Sequence, residues 1–85
     1  MTHPFAQAVI ESCKKDSSYV VMLKPQHIDE AHKRIENKCT KVGNIGNMVH
    51  RYSLGDVKIS FYITGKIILK HVPEDVNQFL NELLE

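Results

Sequence analysis

At 85 residues, 42% hydrophobic and 25% charged, the chain has the composition of one small globular domain with a thin core and no room for a second. No apolar run approaches the roughly 20 residues of a bilayer-spanning helix, and the N-terminus lacks the basic-then-apolar layout of a signal peptide, so no membrane partner is expected. The formal net charge is only +1, and two cysteines, Cys13 and Cys39, do not make a disulfide framework, which points to a reducing, cytoplasmic setting.

A first helix is predicted over residues 4–14. Pro4 suits a first turn, with Thr2 or His3 ahead of it as a cap. Phe5, Ala6, Val9, Ile10 and Cys13 recur at helical spacing, and Lys14 and Lys15 favour a helix C-terminus. Residues 1–16 then form a helical extension to a domain over residues 17–85.

Residues 19–24 are β-branched and aromatic and read as a strand. Pro25 ends it and opens a helix over residues 25–39, with Ile28, Ala31, Ile35 and Cys39 along one face. Acidic Asp29 and Glu30 come early in that helix and basic Lys33, Arg34 and Lys38 late, matching its dipole. Both cysteines thus read as small hydrophobes on helices rather than reactive thiols. Residues 41–46 are rich in Gly and Asn and read as a loop.

Strands follow over residues 48–53, 57–63 and 66–72, separated by turns so short that they must run antiparallel. Pro73 then begins a last helix with Glu74 and Asp75 in its first turn, and Val76, Phe79, Leu80, Leu83 and Leu84 form its apolar stripe. The fold class is therefore α+β: an N-terminal helix followed by β-α-β-β-β-α. Both domain helices have one apolar face, so both should cover one face of a curved antiparallel sheet and leave the other open.

The hairpin over residues 60–70 defines that open face. Successive strand residues point to opposite sides, so Phe61, Ile63, Ile67 and Leu69 make core. The other set, Ser60, Tyr62, Thr64, Lys66, Ile68 and Lys70, is basic and hydroxylated with one aromatic and one aliphatic residue. The charge is segregated in the same sense. Residues 41–72 carry Lys41, Arg51, Lys58, Lys66 and Lys70 against Asp56 alone, a net +4, whereas residues 73–85 carry four acids and no base. Such separation creates a positive face on a nearly neutral protein.

The element order and these residues resemble one repeat of the TATA-box-binding protein fold. A strand ending in a basic residue (Arg51), a short turn (residues 53–56), a strand ending in an aromatic (Tyr62) and Gly65-Lys66 opening the next strand follow the family pattern, without gaps from Asn44 to Asp75. The resemblance runs from Tyr19 onward. Single-repeat relatives include the N-terminal domain of ribonuclease HIII and domains of some RNase toxins. The resemblance implies a nucleic-acid-binding sheet, with Tyr62 and Ile45 as wedges into base steps, Arg51 and Lys66 on backbone phosphates, and Ile68 and Lys70 facing the groove. Ile45 stands where the family has an aromatic, Ser53 and Asp56 where it has basic residues around the turn, and Lys70-His71 where it has Thr-Gly. TATA-sequence recognition is not implied.

The expected function is therefore a non-catalytic nucleic-acid-binding domain that uses Ile45, Arg51, Lys58, Ser60, Tyr62, Thr64, Lys66, Ile68 and Lys70 for DNA, RNA or a hybrid. Lys and Arg would neutralise phosphates and the aromatic would stack on bases. A single repeat is a small footprint with an unpaired sheet edge, so a homodimer is expected. The alternative is a protein-interaction module, as a subunit or a toxin–antitoxin-type partner. In it Tyr62, Ile68, Ile45, Val49 and the set Ser18, Val20, Met22 and Lys24 bury against another protein.

No enzyme, metal or cofactor is expected. His27 and His32 miss the i, i+4 spacing of a helical ligand pair. By parity His50 should face the helices, and His71 with it. A Cys39–His50 pair would lack an orienting group and oxyanion donors. The loop over residues 43–46 lacks the Lys-Ser/Thr of a phosphate loop.

Overall fold

A computed structural model describes residues 3–73 and 75–85. The chain runs β1 (Ala6–Cys13), β2 (Ser18–Leu23), a 3-10 turn (Pro25–His27), α1 (Ile28–Lys38), β3 (Thr40–Ile45), β4 (Val49–Leu54), β5 (Val57–Tyr62), β6 (Lys66–Lys70) and α2 (Val76–Leu83). Six strands form one antiparallel sheet in the order β1-β2-β6-β5-β4-β3. α1 carries the chain from β2 to the far edge, and the meander β3 to β6 returns to pair with β2.

The sheet's inner face and the two helices share one core. Val21, Ile59, Phe61, Ile67 and Leu69 meet Ala31 and Ile35 of α1 and Phe79, Leu80, Leu83 and Leu84 at the C-terminus. Both helices thus lie on one side and the opposite face is open. Arg34 donates to the carbonyl of Leu84 at 2.8 Å, tying α1 to the C-terminus. Asp75 caps α2, accepting from the Asn77 and Gln78 amides at 2.8 and 3.4 Å.

Two expectations of secondary structure are overturned. Residues 4–14 are not a helix: they supply edge strand β1. Two register shifts explain the misleading pattern. Ala6 pairs with Leu23 and Val9 with Val21, so a bulge between Ala6 and Ala8 puts residues three apart on the same side, as a helix would. The expected loop over residues 41–46 is edge strand β3, whose residues are exposed except for half-buried Gly43. The domain is therefore β-β-α-β-β-β-β-α, with one strand more than expected on each side of α1.

Smaller corrections concern ends. The second expected helix begins as a 3-10 turn, and the last begins at Val76 with Asp75 as its cap rather than in its first turn. Thr2 and Glu74 lie outside the described residues. Ile63, expected in the core, is 44% exposed in the Ile63-Thr64-Gly65 turn, where its amide donates to the Met48 carbonyl at 3.0 Å. Gly65 closes that turn at φ +103°. A Cβ there would lie 2.8 Å from Ile28 Cδ1, so both the backbone and the space require glycine.

Candidate nucleic-acid interface

Residues paired across strands share a face, so the registers fix the open surface. One row across the sheet is Ala8, Met22, Lys66, Tyr62, Val49 and Ile45. The next is Ile10, Val20, Ile68, Ser60, Arg51 and Gly43. A third contains Lys70, Lys58, Ser53 and Thr40. Eight of the nine expected site residues fall in these rows. Thr64 does not: it sits exposed in the β5–β6 turn.

The face divides across the sheet, from strand to strand. Toward β1 and β2 it is apolar, with Ile10 and Met22 exposed and Ala8, Val20 and Ile68 half-buried. At the far end of the first row, Ile45 is 63% exposed beside Met48. Arg51, Lys58 and Lys70 are exposed and make no ion pair among the described residues, where both ion pairs lie within α1. With Ser60, Asp16 and His71 they line a concavity of about 300 Å³. Lys58 stands directly opposite Lys70, and Arg51 is one step diagonal from Lys58 through the Arg51–Ser60 and Ser53–Lys58 pairs. Like charges directly opposed on neighbouring strands destabilise a sheet, the more so without a carboxylate partner.

Tyr62 and Lys66 are not independent groups. The Lys66 ammonium lies 4.4 Å from the centroid of the Tyr62 ring, a cation–π contact across the hairpin. A base stacking on this ring must take its other side or displace the ammonium.

The sequence reading missed Ala8 and Ile10, because it made β1 a helix, and the two groups at the end of the concavity. Past the end of β6 the His71 backbone takes a left-handed conformation, φ +65°, and the residue borders both the basic concavity and the cleft against α2. Nothing in the alternation of strand residues signals that turn.

The helical side holds a different cluster. His32 Nε2 is 2.8 Å from the Tyr52 hydroxyl, and the His32 ring stacks on Phe61 with centroids 4.4 Å apart and lies 4.8 Å from His50. Burial holds the His32 imidazole below its ordinary pKa, partly offset by Glu36. Burial, helped by the charge of Glu36, pushes the Tyr52 phenol up to about 12. His27 is not part of this group; it stacks on Phe5 at 4.5 Å. Burial also raises the Cys39 thiol, which suppresses the nucleophilic thiolate. Cys13 is half-buried on β1 rather than on a helix. Another cleft, about 930 Å³, lies elsewhere, between the β4–β5 turn and α2, and its lining mixes Asp56, Glu82 and Glu85 with Lys38 and Phe79. No cluster of three or more His, Cys, Asp or Glu suited to a metal ion occurs among the described residues.

Compared with protein-family models, curated proteins and solved structures, the chain matches none. Among the described residues no helix is long and apolar enough to cross a membrane.

Proposed function

We propose that the protein is a non-catalytic nucleic-acid-binding domain, related to single-repeat TATA-box-binding-protein-like domains, that docks backbone and bases on its open sheet face. The observation that carries this reading is the triad Arg51, Lys58 and Lys70: three cations without ion-pair partners among the described residues, on the same face as Tyr62 and the apolar rows. Cations release counterions from phosphates, and the adjoining Tyr62, Ile68 and Ile45 offer surfaces for bases. Acidic residues of the C-terminal segment, Glu82 and Glu85, lie on the helical side and favour approach to the open face.

A second copy completes the interface in this reading. β3 is an edge strand with exposed Val42 and Ile45 and one bulge, between Lys41 and Gly43, whereas edge strand β1 is interrupted by two bulges that blunt its pairing further. Joining two β3 edges would extend one sheet into the next. A monomer by light scattering, with and without bound strand, would remove this part of the proposal.

Fluorescence anisotropy with single-stranded DNA, duplex DNA, RNA and an RNA–DNA hybrid tests the reading. If Arg51, Lys58, Lys66 and Lys70 each neutralise one phosphate, the log–log salt slope for a single strand is about −2.8, falling to about −1.4 in Lys66→Ala/Lys70→Ala. Tyr62→Ala should weaken binding by roughly 1–3 kcal/mol with little change in slope. Undiminished affinity in the double variant would reject this face.

The exposed Ile10 and Met22 beside Val20 and Ile68 favour a second reading, a surface that buries against a protein. Its binding would be insensitive to salt.

A further inference from the structure

We propose that the concavity formed by Arg51, Lys58, Ser60 and Lys70 receives the terminal phosphomonoester of a nucleic-acid strand. The proposal rests on the reading of the open face as a nucleic-acid interface, and it states where on that face a strand ends.

Three observations converge. The first is charge. Arg51, Lys58 and Lys70 face one carboxylate, Asp16, around a single concavity of about 300 Å³. The excess of two positive charges suits a terminal phosphate, which carries about −1.5 to −2 at neutral pH, better than an internal diester with one. Arg51 supplies a fork for two phosphate oxygens, the two lysines supply point charges, and the Ser60 hydroxyl supplies a neutral donor.

The second is frustration. Lys58 and Lys70 are directly opposed across β5 and β6. Side chains so paired have Cβ atoms about 4.5–5.5 Å apart, and a like-charge pair there opposes folding. An anion between them turns that repulsion into two attractions. An ordinary solvated sheet face gains nothing from opposing two lysines.

The third is the wall. The β1–β2 turn is fastened to the chain leaving β6: His71 donates its amide to the Asp16 carbonyl at 2.8 Å and Val72 to that of Ser17 at 3.2 Å. Ser17 and His71 are the two non-glycine residues with left-handed backbone among the described residues, φ +48° and +65°. Strained backbone at a ligand-sized concavity is where function uses strain. Asp16 and His71 bound the concavity at this end, and the sheet face continues from its other side toward Ser60, Ile68 and Tyr62. In this proposal a strand lying along the sheet from Tyr62 reaches the basic corner and ends against the Asp16 and His71 side of the concavity.

The test uses one oligonucleotide sequence in three forms, 5′-phosphorylated, 3′-phosphorylated and unphosphorylated, with the full chain. One phosphorylated end should bind about tenfold tighter than the hydroxyl form, the gain of one charge-assisted contact. Which end gains identifies the strand's direction. In Lys58→Gln/Lys70→Gln that preference should vanish, while the unphosphorylated strand still binds, more weakly, through Tyr62 and Lys66. The same variant, free of ligand, should melt higher than the parent at low salt, because the opposed charges are gone. Inorganic phosphate alone should shift the backbone amide resonances of Lys58, Ser60 and Lys70. Equal affinity for all three forms overturns the terminal-phosphate site and leaves the nucleic-acid reading standing. A preference that survives in the double variant overturns the location. Binding to none of the three overturns both.

Discussion

Replacing Tyr52 by Phe isolates one hydrogen bond in the helical-side cluster. Tyr52 is 2% exposed, and its hydroxyl meets His32 Nε2 at 2.8 Å. Phenylalanine keeps the ring, so no cavity opens. The bereft partner is not sealed in: the His32 side chain is 24% exposed and Glu36 Oε1 lies 3.9 Å from the same nitrogen. The loss should therefore be near the net value of a hydrogen bond, about 1 kcal/mol, rather than the larger cost of a stranded polar group. In a domain of this size that lowers the melting temperature by roughly 4–8 °C. The sign reverses in alkali. The folded phenol titrates at about 12 because burial and Glu36 disfavour its anion. An unfolded tyrosine titrates near 10, so stability from the neutral phenol is complete below pH 10 and drains away as pH rises to 12. Two units correspond to on the order of 2–3 kcal/mol, which exceeds the hydrogen bond. The parent should thus be the more stable protein below pH 10, and Tyr52→Phe the more stable near pH 12. Urea melts followed by circular dichroism at both pH values measure this. Every other group is common to the two proteins and cancels in the difference. Parallel pH profiles for the two proteins would refute the argument.

Two further predictions concern the acid limb and the hairpin turn. Burial lowers the His32 pKa, and His50 and Lys41 push in the same direction while Glu36 and Asp29 oppose. Stability from the neutral ring is present above the unfolded value near 6.5 and is lost as pH falls through the lower folded value. His32→Gln should flatten that limb in acid melts, although His3, lowered by burial and Arg34, retains part of it. Gly65→Ala should cost about 1–2 kcal/mol for the left-handed backbone alone, plus the contact with Ile28. Adding Ile28→Val should recover part of the contact cost and none of the backbone cost, by denaturant melts; full recovery would mean that the backbone requirement is wrong.

The elements with a buried stripe were legible in the sequence and the edges were not. α1, α2 and the strands β2, β4, β5 and β6 announce themselves because Ile35, Leu80, Val21, Tyr52, Ile59 and Leu69 must reach one core and do so at the spacing of their element. β3 buries nothing of its own beyond half of Gly43, so no apolar alternation marks it, and its Gly and Asn read as loop. β1 misled for the opposite reason: its apolar residues are real, but bulges broke their alternation into threes. The site fared likewise. Residues on interior strands β5 and β6 took their faces from parity alone. Thr64 and Ile63 failed because the turn spans three residues, and at His71, where the backbone turns left-handed, parity gives only one of the two sides that the residue borders.

Restoring β1 to the sheet changes what the open face can hold. As a helix, residues 4–14 would have left Val20 and Met22 on an edge strand, with nothing apolar beyond them. As a strand they set Ala8 against Met22 and Ile10 against Val20, so the apolar side chains continue from Ile68 to the sheet edge. Lys66 sits beside Met22, over the Tyr62 ring, while Arg51, Lys58 and Lys70 stay together at the other corner. Uniformly scattered lysines would serve solubility and would leave the face equivalent everywhere. A gradient from apolar to basic across the sheet instead fixes an orientation: a ligand with an apolar part and an anionic part can lie on it one way round. In the proposed reading a nucleic-acid strand supplies both parts, its bases and its phosphates, and the opposed Lys58–Lys70 pair is the place proposed for the anion.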